Sequence, residues 1–250
     1  MKMTKTKKAG ILLAALLVVS CLLFLFGKFP VMMLNGEVCT VFTRNLVLDN
    51  VHDKEKPYDN ADVETLSRMR FLTDLEMRNT EITDLSFLEN KDGLHRIFYL
   101  GKSGYPIEDW NYLTECENLT FFLGERVEMS DLSAFRGLSD LEELYIEYEY
   151  NMPLMVENLD VLVNDLSGLE TLTNLQKCYI AGRGISDISE VRNCQKIVFL
   201  GLRGTTQDAD YSVLLELPEL DVLEIDSGVL PEDIKNELLE KGITVHEYLV

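Results

Sequence analysis

Residues 72–93 read LTDLEMRNTEITDLSFLENKDG, and the chain returns to this phrase again and again. Its first half is a leucine, two variable residues, a leucine, one variable residue and a further apolar residue. That half starts at Leu72, Leu94, Leu119, Leu141, Leu175, Ile197 and Leu220, at intervals of 22, 25, 22, 34, 22 and 23 residues. The second half, Ile82-Thr-Asp84-Leu85-Ser-Phe-Leu88, recurs from Met129, Val163 and Ile185, with a weaker copy from Ile107 to Leu113. A step of three followed by a step of two cannot keep three apolar residues on one helical face. Alternating pairs such as Leu75 and Met77, or Leu144 and Ile146, instead suit a short strand with one buried face. The Asp-Leu-Ser phrase opens with a side chain able to cap backbone amides, and its two apolar residues three apart face inward from a single helical turn. One unit alone leaves its apolar face wet. Stacked units bury it along a continuous core, where each buried leucine contributes about 1.5–3 kcal/mol.

Repeats of this length and phrasing resemble the leucine-rich repeat family, and the 22-residue Asp-Leu-Ser form is similar to the internalin-like class of bacterial surface proteins. The resemblance covers residues 66–230. It implies an α/β leucine-rich repeat solenoid: a curved parallel sheet with short helical or 3-10 turns on the convex side, and a role in interaction rather than catalysis. The chain departs from the family at the asparagine ladder, eight residues after the first leucine, where Thr80, Val127, Arg183, Thr205 and Gly228 stand. Insertions of three and twelve residues fall within 101–106 and 148–160 and are expected as loops at a strand edge. The longer one carries Tyr148, Tyr150, Met152, Leu154 and Met155, which either contact a partner or fold onto their own repeat.

Outside the repeats, residues 37–65 are expected to form an N-terminal cap or half-repeat and 231–250 a helix-strand cap opened by Pro231 and stopped at Gly242. Between Lys8 and Lys28 no charged residue occurs, and the run from Ile11 to Phe26 is almost wholly apolar. Residues 9–27 are therefore read as one transmembrane signal-anchor preceding the solenoid, with residues 1–8 as a basic cytoplasmic tail and 28–36 as a stalk. The lysines before the run predict an extracytoplasmic body. Two other readings stand beside it: a lipoprotein attached through Cys21, and cleavage after Ser20. All three export the body.

The first 28 residues hold five lysines and no acid, which leaves residues 29–250 with 18 basic against 43 acidic side chains, a net charge of −25. So negative a body repels phosphate backbones, and nucleic acid is excluded as a partner. Cys116 and Cys194 each stand three residues before a repeat start, and Cys178 takes a leucine position. They are expected as small core residues rather than disulfide partners. Gly101-Lys102-Ser103 lacks the leading glycine of a phosphate-binding loop, and no His/Cys/Asp spacing suits a metal. No nucleophile, base and orienting group can be assembled, so neither an enzyme nor a cofactor is expected.

The repeat register assigns the side chains of the concave face. Its central column reads Glu76, Phe98, Leu123, Tyr145, Tyr179, Gly201 and Glu224, and the column before it Asp74, Arg96, Phe121, Glu143, Lys177, Phe199 and Val222. Solvent-facing strand positions favour polar residues, so Arg96, Phe98, Phe121, Leu123, Tyr145, Tyr179 and Phe199 are singled out as a partner-binding patch. A one-residue slip between 119 and 124 would instead bury Phe121 and Leu123. The expected function is a membrane-anchored, extracytoplasmic, non-enzymatic module that binds another protein or a surface polymer, with residues 9–27 in the bilayer. The alternatives are an accessory or regulatory subunit of a membrane enzyme or transporter, and a structural envelope component.

Overall fold

The computed structural model describes residues 31–50, 56–148 and 162–249. Strands β3 (Asn45–Asp49), β4 (Asp74–Arg78), β5 (Arg96–Leu100), β6 (Phe121–Glu125), β7 (Glu143–Glu147), β8 (Lys177–Ile185), β9 (Phe199–Thr205), β10 (Val222–Asp226) and β11 (Thr244–Tyr248) form one sheet in chain order. Each strand pairs in parallel with the next. Successive parallel neighbours require a crossover on one side of the sheet, and here every crossover supplies a turn that covers the buried face. The result is a leucine-rich repeat solenoid.

Burial follows the leucine phrase. Leu75, Met77, Ile97, Phe122, Leu144, Ile146, Cys178, Ile180, Leu200, Leu202, Leu223 and Ile225 all point into the core. Leu85, Leu132, Leu166 and Ile188, from the crossover turns, meet them from the other side. The turns are 3-10 segments such as Ser86–Leu88, Ser133–Phe135 and Ser189–Asn193. Aspartate sets where they begin. Asp84, Asp109, Asp131, Asp165, Asp187 and Asp210 each accept the backbone N–H two residues on, at 2.8–3.0 Å. The side-chain hydrogen bonds of Ser133 and Ser212 first, with these backbone bonds beside them, hold the Asp131 and Asp210 carboxyls below their ordinary range, and for Asp187 the backbone bond leads. The Asp210 turn, Tyr211–Glu216, is the second half of the repeat that starts at Ile197; the Asp-Leu-Ser phrase does not mark it, because Asp208 stands where the phrase has an apolar residue.

Both ends are closed. Helix α2 (Glu232–Glu240) buries Leu238 and hands the chain through Gly242 (φ +87°) to β11. At the other end the stalk expected over 28–36 gives way, from residue 31, to β1 (Val31–Leu34) and β2 (Glu37–Thr40), an antiparallel hairpin. Met32 and Leu34 alternate inward and close the open end of the core, which is why these residues are not a tether. A leading coil follows, with β3 in the sheet, Asp59 capping the Ala61 N–H at 2.7 Å, and the short helix α1 (Val63–Ser67) burying Leu66. The solenoid thus starts one coil before Leu72. Among the described residues no helix is long and apolar enough to cross a membrane. The expected span at 9–27, Cys21 and most of the 148–160 insertion lie outside the described residues.

Cys39, Cys116, Cys178 and Cys194 are free thiols. Burial pushes Cys116 and Cys194 up to about 12 and Cys178 well above the ordinary thiol range, so they act as small apolar side chains. The ladder position is mixed: Val127 is fully buried, Thr205 accepts the Tyr211 hydroxyl at 3.0 Å, and Arg183 is exposed. In the shorter insertion Lys102 pairs with Glu81 at 2.5 Å, and Tyr105 N–H closes a turn onto the Lys102 carbonyl, as expected of a loop.

Lys91 breaks the apolar rule. Its side chain is wholly buried, its Nζ donates to the Ser67 carbonyl at 3.2 Å, and burial pulls its pKa down to about 8, with the Arg70 charge also lowering it against an opposing effect of Cys116. Replacing Lys91 with Met is expected to stabilise the protein by roughly 1–3 kcal/mol at pH 7, since a buried ammonium is removed and its volume kept. Between about pH 8 and 10.5 the unfolded chain still binds a proton that the folded chain has released, so the parent gains stability and the advantage of Lys91→Met shrinks. Urea midpoints of the two proteins at pH 7 and pH 10 check this.

Candidate interaction face

The face of the sheet turned away from the crossovers carries three columns of side chains. In the central one Val47, Glu76, Phe98, Leu123, Tyr145, Tyr179, Gly201, Glu224 and His246 stand side by side on consecutive strands. Asp74, Arg96, Phe121, Glu143, Lys177, Phe199 and Val222 form the column before it. The structure therefore brings all seven singled-out residues onto one face of β5–β9. The slip does not occur: Phe122 is fully buried, and Phe121 and Leu123 on either side of it remain partly open.

The aromatic rings are held in place by their neighbours. The Arg96 guanidinium lies 4.8 Å from the Phe121 ring centre and that of Arg78 lies 5.5 Å from Phe98, each over an aromatic face. Phe121 and Tyr145 meet with ring centres 6.0 Å apart. Tyr145 donates its hydroxyl to Glu143 at 3.1 Å, and Lys177 donates to the other Glu143 oxygen at 3.2 Å. Burial first, and then the Glu143 charge, push the Tyr145 hydroxyl up to about 12. Tyr179 lies down along the sheet because Gly201 beside it has no side chain: a Cβ there would come within 2.2 Å of its ring.

A third column escaped the sequence reading. Asp49, Arg78, Leu100, Glu125 and Glu147 stand in register, and further along are Ala181 beside Arg203, and Asp226 beside Tyr248. Its signal was present in the residue following each Leu-x-Met or Leu-x-Ile pair. Across the face, cations are already matched: Arg78 with Glu76, Arg96 with Asp74 at 4.0 Å, Lys177 with Glu143 and Arg203 with Asp226. Glu125 and Glu147 are different. They stand next to each other on β6 and β7 with no ion pair among the described residues, and burial together with the Glu125 charge raises the Glu147 pKa. The insertion that follows β7 cannot supply a cation, because residues 148–161 contain no lysine or arginine. Tyr148, its first residue, donates its hydroxyl to the Val127 carbonyl of the preceding coil and so packs against the solenoid.

No protein-family model matches the chain, and no curated protein matches it. Solved structures do. The chain is similar to internalin C2 of Listeria monocytogenes, with a TM-score of 0.57 and 22% identity over 79% of this chain and 81% of that one. An internalin (inlF) of the same organism aligns at a TM-score of 0.43 and 18% identity over 74% of this chain and 63% of its own length. The first likeness agrees with the solenoid fold; identity at that level carries nothing further.

Proposed function

We propose that this chain is a non-enzymatic interaction module, anchored in a membrane through residues 9–27, whose extracytoplasmic repeats capture another protein on the open face of the sheet. The observation that carries this reading is the run of half-buried aromatic and aliphatic side chains, Phe98, Phe121, Leu123, Tyr145, Tyr179 and Phe199, at register positions that face solvent. Large apolar residues at such positions cost solubility and add nothing to the core, and rigid aromatics are the side chains that dominate protein interfaces. Charge narrows the partner. With the basic residues of the face matched internally, Glu125 and Glu147 beside Tyr145 complement a Lys or Arg set in an apolar surface. The anchored, exported arrangement is supported by the apolar run of 11–26 and the lysines before it. The similarity to internalin C2 supports the fold on which this face is built.

The test compares the parent with the double variant Tyr145→Ser and Tyr179→Ser, in capture from detergent-solubilised membranes and in thermal unfolding. Loss of two central aromatics is expected to weaken capture by about tenfold or more while leaving the unfolding transition in place. Unchanged capture would remove the face from consideration. A partner recovered only when residues 1–28 are present would favour an accessory subunit working through the anchor. Protease accessibility on intact cells tests the exported orientation.

A further inference from the structure

The open face is not where the largest apolar side chains are most exposed. The outer side of the N-terminal hairpin carries Val31 at 40%, Met33 at 58% and Val38 at 70% exposure, with Met33 and Val38 directly opposite each other across the two strands. Just beyond it Phe42, at 63%, stacks on Phe71, at 51%, with ring centres 5.5 Å apart. In a chain of such negative charge the hairpin itself is almost uncharged: Glu37, at its turn, is the sole ionisable acid or base between residues 31 and 43 apart from the Cys39 thiol. The charges that flank the patch, Arg44, Arg68 and Arg70, are basic. The position of the hairpin in the chain suggests what covers it. Only residues 27–30 separate the apolar run ending at Phe26 from Val31, and a chain of that length reaches at most about 17 Å. The polar layer between the hydrocarbon core and bulk water is itself about 5–8 Å deep.

We propose that the outer face of the β1–β2 hairpin, with Phe42 and Phe71, rests in the interfacial layer of the lipid bilayer and seats the solenoid on the membrane that anchors it. This rests on the anchored reading above. Val31, Met33, Val38 and the aromatic pair dip among headgroups and upper acyl chains, as apolar side chains of interfacial elements do. The inner face of the same hairpin, Met32 and Leu34, is fixed to the core, so the contact sets the tilt of the repeats relative to the bilayer. The acidic repeats then lead away from the lipid surface.

The full chain carrying Met33→Trp, reconstituted in phosphatidylcholine vesicles, tests this with lipids brominated near the glycerol end of their acyl chains. The expected result is a blue-shifted emission at position 33 that brominated lipid largely quenches, above a constant background from Trp110, which is buried in the core. A Glu219→Trp reporter on an exposed turn near the far end should not be quenched. Val38→Trp, across the hairpin, serves if the first variant does not fold. A chain that stays with vesicles through an alkaline carbonate wash while its reporter remains unquenched overturns the proposal and leaves the anchor standing. A blue-shifted but unquenched reporter also overturns it, because protein then covers the face. A chain released by the wash removes the anchor and this proposal together.

Discussion

Replacing Asp226 with Ala is expected to cost about 3–5 kcal/mol of stability, the toll of leaving an unpartnered charge in a buried site. Asp226 and Arg203 are 3% and 5% exposed on the adjacent strands β10 and β9 and form an ion pair in the third column. The same carboxylate accepts the Gly204 N–H at 2.6 Å, and the Arg203 guanidinium lies 5.1 Å from the Tyr248 ring centre on β11. One side chain therefore ties three consecutive elements at the C-terminal end. Changing both partners, Arg203→Met with Asp226→Leu, removes the charge with its counter-charge and is expected to return most of the loss. Urea unfolding of the single and double variants measures both. A single variant within about 1 kcal/mol of the parent would mean that water reaches the pair.

Leu132→Ala is expected to cost about 2–5 kcal/mol, lowering the midpoint of thermal unfolding by several degrees. Leu132 is completely buried, it opens a crossover turn, and its N–H donates to the Ser167 carbonyl of the next coil at 3.1 Å. In a solenoid each coil is supported by its two neighbours alone, so a cavity here weakens the stack on both sides. The contrast with Tyr145→Ser is informative. That change removes a larger side chain from β7, but one facing the open side, and is expected to cost well under the Leu132 value. Thermal scans of the two variants side by side check the ordering.

Much of this was legible because the repeat phrase couples spacing to burial. The register that aligned Glu76, Phe98, Leu123, Tyr145 and Tyr179 in the sequence is the register of the strands, since each coil adds a whole turn and the insertions lie between one described strand and the next in the chain. The aspartate caps were legible for the same reason. Where an apolar marker is replaced, as at Asp208, the turn at Asp210 still forms; its coil was legible from Ile197, but the turn itself was invisible to a pattern keyed on apolar spacing. The hairpin was missed because alternation in a four-residue strand is too short to separate from a tether; only the closing of the core by Met32 and Leu34 reveals it. The third column went unread because its residues share no side-chain type: Arg78, Leu100, Glu125 and Glu147 are related by position alone.

The fold is shared with internalin C2, and folds of this kind host many partners, so function rests on the side chains that this chain places on its own sheet. Hydroxyl-radical footprinting of the folded protein, read residue by residue by mass spectrometry, tests that placement most directly. Two pairs of adjacent aromatics have opposite surroundings: Phe98 and Phe121 are partly open, whereas Tyr99 is 5% exposed and Phe122 is fully buried. Phe98, Phe121, Tyr145 and Tyr179 are expected to be oxidised, with Tyr99, Phe122 and Tyr211 protected. Oxidation of Tyr99 and Phe122 with protection of Phe98 and Phe121 would contradict that placement, since the strands would then present the opposite face.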